Sequence, residues 1–271
     1  MTIAAVRVVA YPIWLRAVSP RGISGRVLAT FRRSAYLQFG SRGPVLALVR
    51  PELGRGPLNV LVDGLPWERL QTGDPAYLTP THLRVADWEG ELQPASAWDP
   101  ALPRLVPEAT VVRRCLNWLA ERAPPDSLAA VVPHLLGGFG PPLVDWQRKA
   151  QEGLAALLAG RTAVGCRVLC GLGPGLTPSG DDGLCGWMLA LYVRGRPRAD
   201  LLRAATATHR ISRAFLSASA RGHASESWHR FLASLRAPSW EAAVLAVLTT
   251  GGTSGADTLT GFLLGLSHLR G

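Results

Sequence analysis

The sequence predicts an α+β protein in which a β-rich first part, residues 1–100, precedes a mainly helical second part, residues 101–271. Two observations carry this prediction. Short β-branched or aromatic runs punctuated by glycine and proline fill the first part, whereas apolar residues at helical spacing fill the second. Between them the proline-rich stretch ELQPASAWDPALPRLVP indicates a boundary near residue 100.

The first part contains four clear strand-like runs, RVLATFRRSAYLQF, PVLALVRP, LNVLVDG and HLRVADW. Turn-forming segments separate them, including FGSRGP, ELGRGP and DGLPW, and no helix-length periodic segment interrupts them. We therefore expect a small antiparallel barrel or sandwich.

The second part contains five segments with helical apolar spacing and glycine or proline at their ends. They are PEATVVRRCLNWLAER, PLVDWQRKAQEGLAALLAG, RADLLRAATATHRISRAFLSASARG, SWEAAVLAVLTTGG and SGADTLTGFLLGLSHLR. The sequence also predicts a buried helix at GLCGWMLALYV, which follows a glycine-rich turn.

The charge and cysteine content narrow the functional classes. The net charge is +10, but the arginines are dispersed and accompany no DNA- or RNA-binding motif, which argues against nucleic acid as a partner. The four cysteines show no metal-ligand spacing, which favours small buried thiols in a reducing compartment. No apolar run reaches the length of a membrane span and the first residues do not resemble a signal peptide, so we expect a cytoplasmic protein.

One motif occurs twice in the helical part. Ser179 begins SGDDGLCG and Ser254 begins SGADTLTG, so both copies have the form S-G-x-D-x-L-x-G. A threonine and glycines precede each copy, and an apolar helix follows each one. The first copy lies in GLGPGLTPSGDDGLCG, which has more glycine than a helix interior tolerates. We interpret the copies as two related loop–helix units whose tips face one cleft.

Helix capping alone is the competing explanation of the motif. Ser179 and Ser254 would be N-caps, with Asp182 and Asp257 three residues later as in a capping box, where acids also suit the helix dipole. Capping does not explain the extra glycines or the second acid, Asp181. The sequence therefore favours a capped helix start that also forms a site.

The chemistry of such a tip leaves two options open. Glycine-rich turns and helix starts bind anions through backbone N–H groups, but Asp181 stands where an ATP-binding loop has lysine. Carboxylates repel a neighbouring anion unless a cation lies between them, for which Mg²⁺ is the candidate. Otherwise the carboxylates must face an uncharged part of the ligand. A ligand with an anion at one end and a carbamoyl NH₂ at the other fits the second option.

Weaker candidates lie in the segment THRISRAFLSASARGHASE. Arg213 could clamp a carboxylate, although a solvated helix face explains it as well. His223 and Glu226 could supply acid–base function, but a lone histidine is more often structural. The chain lacks the G-x-S-x-G and H-E-x-x-H motifs, which argues against serine hydrolase and zinc protease chemistry.

GLGPGLTPSGDDGLCG together with GGTSGADTLTG resembles the AllH-like subunit family of oxamate carbamoyltransferase. The resemblance implies phosphorolysis of oxalurate to oxamate and carbamoyl phosphate in allantoin breakdown, a step in purine degradation, by a complex of several different subunits. Gly183 and Gly252 depart from the family pattern, which has larger side chains at both positions.

From the motifs and this resemblance together, we predict catalytic roles for Asp181, Asp182 and Asp257. The predicted ligand-binding residues are Gly173, Gly175, Thr177, Ser179, Gly180, Thr253, Ser254, Gly255 and Arg213. No cofactor is firmly implied, and Mg²⁺ stays open. The expected partners are a small anionic substrate and other protein subunits, with no membrane. Two alternatives remain: a non-catalytic partner or regulatory subunit, and a Mg²⁺-dependent hydrolase.

Overall fold

The structure is a computed structural model that describes residues 4–18, 21–105, 107–237 and 240–268. Its backbone contacts divide the chain into two compact units, Met1–Pro100 and Ala101–Gly271. The first is β-rich and the second is mainly helical, which confirms the predicted α+β class.

The strands of the first unit form one sheet in the order β1-β9-β8-β7-β3-β4-β5-β6-β2-β10. Neighbouring strands are mostly antiparallel, but β1–β9, β5–β6 and β2–β10 are parallel pairs. The strands are β1 (Ala4–Ala5), β2 (Arg7–Pro12), β3 (Ile23–Phe31), β4 (Ser34–Phe39), β5 (Val45–Val49), β6 (Asn59–Asp63), β7 (Pro75–Leu78), β8 (His82–Val85), β9 (Trp88–Glu91) and β10 (Ala97–Trp98).

The sheet curls into a barrel-like form because one stretch of chain bonds to both of its ends. Strands β1 and β2 are separated only by Val6, and they pair with β9 and β6 respectively. The Val6 N–H adds a bond to the Glu89 carbonyl. Alternate side chains then fill a common core that includes Leu37, Leu48 and Trp88. Strands β1, β2, β7 and β10, and β9 except Trp88, lie outside the four runs identified in the sequence.

The second unit is built on helices. They are α1 (Ala109–Arg122), α2 (Val132–Leu135), α3 (Asp145–Leu158), α4 (Thr162–Leu169), α5 (Ser179–Val193), α6 (Ala199–Ala204), α7 (Arg210–Ala220), α8 (Glu226–Ser234), α9 (Trp240–Leu248) and α10 (Ser254–His268). A 3-10 helix, Leu128–Val131, precedes α2. The segment RADLLRAATATHRISRAFLSASARG forms two helices, α6 and α7, rather than one, and the sequence patterns did not indicate α4 and α8.

Helices α5 and α10 form the centre of the second unit. Almost every residue of α5 is buried, as is α10 from Gly255 to Leu266. A polar face is therefore missing from both helices, which indicates that other helices surround them. Aromatic side chains of α8 complete this core, where Trp228 and Phe231 pack edge-on against Phe262 of α10.

Glycines let α5 and α10 approach until their backbones touch. A Cβ atom on Gly186 would overlap the Thr258 carbonyl oxygen, and one on Gly261 would overlap the Gly183 carbonyl oxygen. Gly186 and Gly261 are equivalent in the two motif copies, as are Gly183 and Thr258. The two contacts are thus the same contact repeated with the helices exchanged, which indicates a local pseudo-twofold relation.

The same relation extends to the helices that precede the motifs. Gly180 packs against the carbonyl of Leu169 at the end of α4, and Gly255 packs against the carbonyl of Val247 near the end of α9. Both contacts leave no space for a Cβ atom. The same glycine contact therefore joins α4 to α5 and α9 to α10.

Candidate functional site at the starts of helices α5 and α10

The glycine-rich loop before α5 follows a path that few other residues could adopt. Gly171, Gly173 and Gly175 have φ angles of 72°, 100° and 100°, in the left-handed region that favours glycine. Within the described ranges, the N–H groups of Gly173 and Gly175 donate no backbone hydrogen bond. Gly175 is exposed. The loop thus presents free N–H groups, the donors that an anion needs.

Asp181 fixes this loop to the segment before α7. Its Oδ1 accepts a bond from the Gly171 N–H at 2.9 Å, and its Oδ2 accepts one from the Thr208 hydroxyl. The carboxylate is buried, with 1% of the residue exposed. Both oxygens are therefore engaged within the protein, which gives Asp181 a positioning task.

Asp182 lies at the meeting point of the two motifs. The Thr177 hydroxyl donates to its Oδ2 at 3.0 Å, and the same hydroxyl is 3.1 Å from the Ser254 hydroxyl of the second motif. Burial raises the pKa of Asp182 well above its usual range, while the hydroxyl of Ser254 lowers it and the charge of Asp257 raises it. The two acids are thus close enough to influence each other.

Asp257 has one satisfied and one unsatisfied oxygen. Its Oδ1 accepts the N–H of Leu128 at 2.6 Å, at the start of the 3-10 helix. Its Oδ2 is buried without a hydrogen-bond partner among the described residues, and the buried hydroxyl of Ser179 has none either. Burial raises the pKa of Asp257 to about 6, whereas the Leu128 N–H and the nearby hydroxyls of Ser179 and Thr253 lower it. Ser179 thus lies beside this carboxylate without hydrogen-bond geometry.

The serines and aspartates of the two motifs are exchanged between the helices. Ser254 of α10 adjoins Asp182 of α5, and Ser179 of α5 adjoins Asp257 of α10. This crossed arrangement follows from the pseudo-twofold packing. The structure therefore brings together Ser179, Asp182, Ser254 and Asp257, and Thr177 and Thr253 border them.

Capping does not account for the first motif. The N-cap of α5 is Pro178, whose carbonyl accepts the N–H groups of Asp181 and Asp182, and no side chain caps the helix. Ser179 is the first residue of α5, so the competing explanation by a capping box does not hold there. Its buried hydroxyl lies beside Asp257 instead.

The remaining predicted residues have different environments. Gly180 and Gly255 are buried by helix packing and do not face an open cleft. Arg213 is exposed on α7. Burial raises the pKa of the Cys170 thiol to about 11 and the Arg213 charge lowers it, which locates this arginine near the glycine-rich loop. His223 pairs its backbone with Ala101, and Glu226 begins α8.

The structure adds contacts that the sequence did not indicate. The Leu128 N–H and the Thr208 hydroxyl hold Asp257 and Asp181, but both come from segments remote in the chain. Ser212 on α7 has a buried hydroxyl with no partner among the described residues. A backbone N–H carries no sequence signal, so the Leu128 contact could not have been found. Within the described ranges, no three His, Cys, Asp or Glu side chains cluster in a way that could hold a metal.

Comparison with known families supports the resemblance. The family model described as oxamate carbamoyltransferase subunit AllH matches residues 169–266, the region that holds both motifs and both central helices. This region is thus similar to a subunit of that transferase. No solved structure matches the chain. None of the described helices is both long and apolar enough to cross a membrane.

Proposed function

We propose that the starts of α5 and α10 bind a small anionic carbamoyl or carboxylate compound, and that the protein is a subunit of a carbamoyl-transferring enzyme. The observation that carries this proposal is the convergence of Asp182 and Asp257 with two unsatisfied buried atoms, Asp257 Oδ2 and Ser179 Oγ. Buried polar atoms normally have partners, so the unsatisfied pair favours a ligand role.

The two parts of the site suit the two ends of such a ligand. The free N–H groups of Gly173 and Gly175, together with the positive ends of two helix dipoles, favour the carboxylate or phosphate end. Asp182 and Asp257 supply oxygens that can accept hydrogen bonds from a carbamoyl NH₂. Oxalurate has a carboxylate at one end and a ureido group at the other, and phosphate is its attacking partner.

Catalysis at this site would consist of positioning and charge stabilisation. The described residues place no activated serine or cysteine nucleophile beside the acids: burial raises the pKa of the Cys185 thiol well above its usual value. Holding phosphate and a carbamoyl carbon in line lowers the entropic part of the barrier. Backbone donors at helix starts would stabilise the charge that develops on the carbonyl oxygen.

Calorimetry with oxamate, oxalurate and carbamoyl phosphate tests this proposal. We expect the wild type to bind at least one of them and Asp182→Asn to bind it at least tenfold more weakly, because a charged hydrogen bond is worth about 1.5–3 kcal/mol. Asp145→Asn, an exposed acid on α3, is the matched control. Equal heats in wild type and Asp182→Asn, or no heat with any ligand, would contradict the proposal.

A non-catalytic subunit is the second candidate, and one observation favours it. The described residues place no activated nucleophile beside the acids, which suits a subunit that binds a ligand without reacting with it. Oxamate formation by the isolated chain would eliminate this candidate. Activity that appears only with added partner subunits, and persists in Asp182→Asn, would support it.

A further inference from the structure

The first unit lies outside residues 169–266, the region that is similar to the transferase subunit. Its strands β3 and β4 are joined by the two-residue turn Arg32–Arg33. Phe31, the last residue of β3, is 45% exposed at the tip of this hairpin. The hairpin therefore presents a large aromatic side chain to solvent between strands whose other faces are packed.

A second exposed apolar side chain belongs to the same edge of the sheet. Ser34 pairs with Val49 of β5, and the N–H of Arg50 donates to the Arg33 carbonyl at 3.1 Å. The 3-10 helix Pro51–Leu53 follows directly, and Leu53 is 40% exposed. We call these two joined segments, residues 31–34 and 50–53, the hairpin-tip surface.

Neighbouring rings restrict two side chains of this surface. The ring of Phe31 packs edge-on against Tyr36, with the centroids 6.0 Å apart. The guanidinium group of Arg50 lies over the Trp67 ring, 5.8 Å from its centroid. Side chains that are already held lose less conformational entropy when a partner binds.

The charge of the hairpin-tip surface is positive. Arg32, Arg33 and Arg50 are exposed, and Glu52 is the acid of the two segments. Within the described ranges, none of these three arginines forms an ion pair. An excess of unpaired arginine charge favours a partner with acidic side chains, and arginine binds carboxylates through two parallel hydrogen bonds.

We propose that the hairpin-tip surface docks an acidic segment of another protein, in which an apolar pocket receives Phe31 and carboxylates pair with the arginines. Apolar and aromatic side chains surrounded by charged ones are the composition of a protein interface, and aromatic and arginine residues dominate its energetics. The chain carries no DNA- or RNA-binding motif, which favours protein over nucleic acid. This proposal does not depend on the ligand site at α5 and α10.

Photo-cross-linking of the full chain in the cells that produce it tests the proposal. The photoreactive residue p-benzoylphenylalanine is introduced at Phe31, and mass spectrometry identifies the segment that it joins. Leu245 on α9, which is 50% exposed, is the control position. We expect position 31, and not position 245, to join a segment of another protein with more Asp and Glu than Lys and Arg. Absence of a cross-link, or one to nucleic acid, lipid, a second copy of this chain or a segment without net negative charge, overturns the proposal.

The affinity for the cross-linked segment, made as a fluorescent synthetic peptide, tests the two parts of the surface. We expect Phe31→Ala and Arg33→Glu each to weaken binding by about tenfold or more, and added salt to weaken binding to the wild type. Arg33 lies in an exposed turn, so its variant serves if Phe31→Ala does not fold. Arg42→Glu, at the exposed turn after β4, is the matched control and should change affinity by less than about twofold. Unchanged affinity in both variants, or equal weakening by Arg42→Glu, overturns the proposal.

Discussion

The two motif copies share one packing scheme but differ in the loop that leads into the helix. In both copies the first glycine packs against the preceding helix and the last glycine packs against the partner helix. In the first copy the loop is longer, and Asp181 fixes it to Thr208. Ala256 occupies the equivalent place in the second copy, and the loop there is shorter.

This contrast separates the motif residues that pack the two helices together from the one residue, Asp181, that only the first copy has. The serine, the first and last glycines and the aspartate at the fourth position occur in both copies. They recur because each of the two crossing helices makes the same contacts. Asp181 occurs once because only one loop needs an anchor. Of the three predicted catalytic acids, Asp181 therefore acts through the loop it holds, and the shared pair Asp182 and Asp257 is the stronger candidate for ligand contact.

Filling the helix crossing should destabilise the protein most. Gly186→Ala and Gly261→Ala each place a methyl group on a backbone carbonyl of the partner helix, and neither helix can move away without disturbing a close-packed core. We expect each to lower the free energy of unfolding by more than about 3 kcal/mol. Urea denaturation followed by circular dichroism measures this.

The exposed Gly252→Ala is the control, because a methyl group at that position would have no atom within 4 Å and the φ of Gly252 is not positive. It should change stability by less than about 0.5 kcal/mol. If only one of the two crossing variants is destabilised, the pseudo-twofold packing is wrong.

Stability should depend on pH through the buried aspartates of both copies, because burial raises the pKa of each. Asp257 gives the clearer test. Asp257 has a folded pKa of about 6 against an ordinary value of 3.8, so between these values the folded state binds more protons than the unfolded state. Stability is therefore greatest at low pH and falls as pH rises, by about 3 kcal/mol for this group. Asp257→Asn should flatten that part of the profile in urea titrations between pH 4 and 7. A profile that rises with pH in wild type and is unchanged in the variant would refute the burial effect.

Removing the anchor of the first loop should have a smaller and local effect. Asp181→Ala leaves the Gly171 N–H and the Thr208 hydroxyl without their acceptor, which costs about 1–3 kcal/mol. Amide hydrogen exchange should accelerate at Gly171 and not in the loop before α10. Ala256→Ser changes the equivalent residue of the second copy and serves as the control. Equal acceleration in both loops would show that the copies are not independent.

Substitution of Arg213, which has no counterpart beside the second motif copy, should affect stability least. If it clamps the anionic end of the ligand, Arg213→Ala should weaken oxamate binding by about tenfold, while Arg213→Lys restores part of it because the charge remains. Unfolding free energies should stay within about 0.5 kcal/mol of the wild type, since the side chain is exposed. Unchanged affinity in the alanine variant would assign Arg213 to the solvated face of α7.

Much of the fold was predictable because local patterns controlled it. Alternating apolar runs with glycine and proline turns identified most of the sheet, and the central helices α5 and α10 were apparent from their apolar sequences. The strand Pro75–Leu78 was missed because it begins with proline directly after a glycine turn, which is the pattern of a loop. The break between α6 and α7 was missed because TATHRIS contains no glycine or proline.

The order of amino acids was enough to establish that two related helix starts, each with serine, glycine and aspartate, exist 75 residues apart. It took the folded chain to establish that the helices cross through their glycines, that each serine adjoins the aspartate of the other copy, and that Leu128 holds Asp257. A repeated motif is recognised from its side chains, whereas these contacts depend on backbone atoms and on the distance between helices. Because all residues except proline carry the same backbone donor and acceptor, the partners of these groups become visible only when the chain is folded.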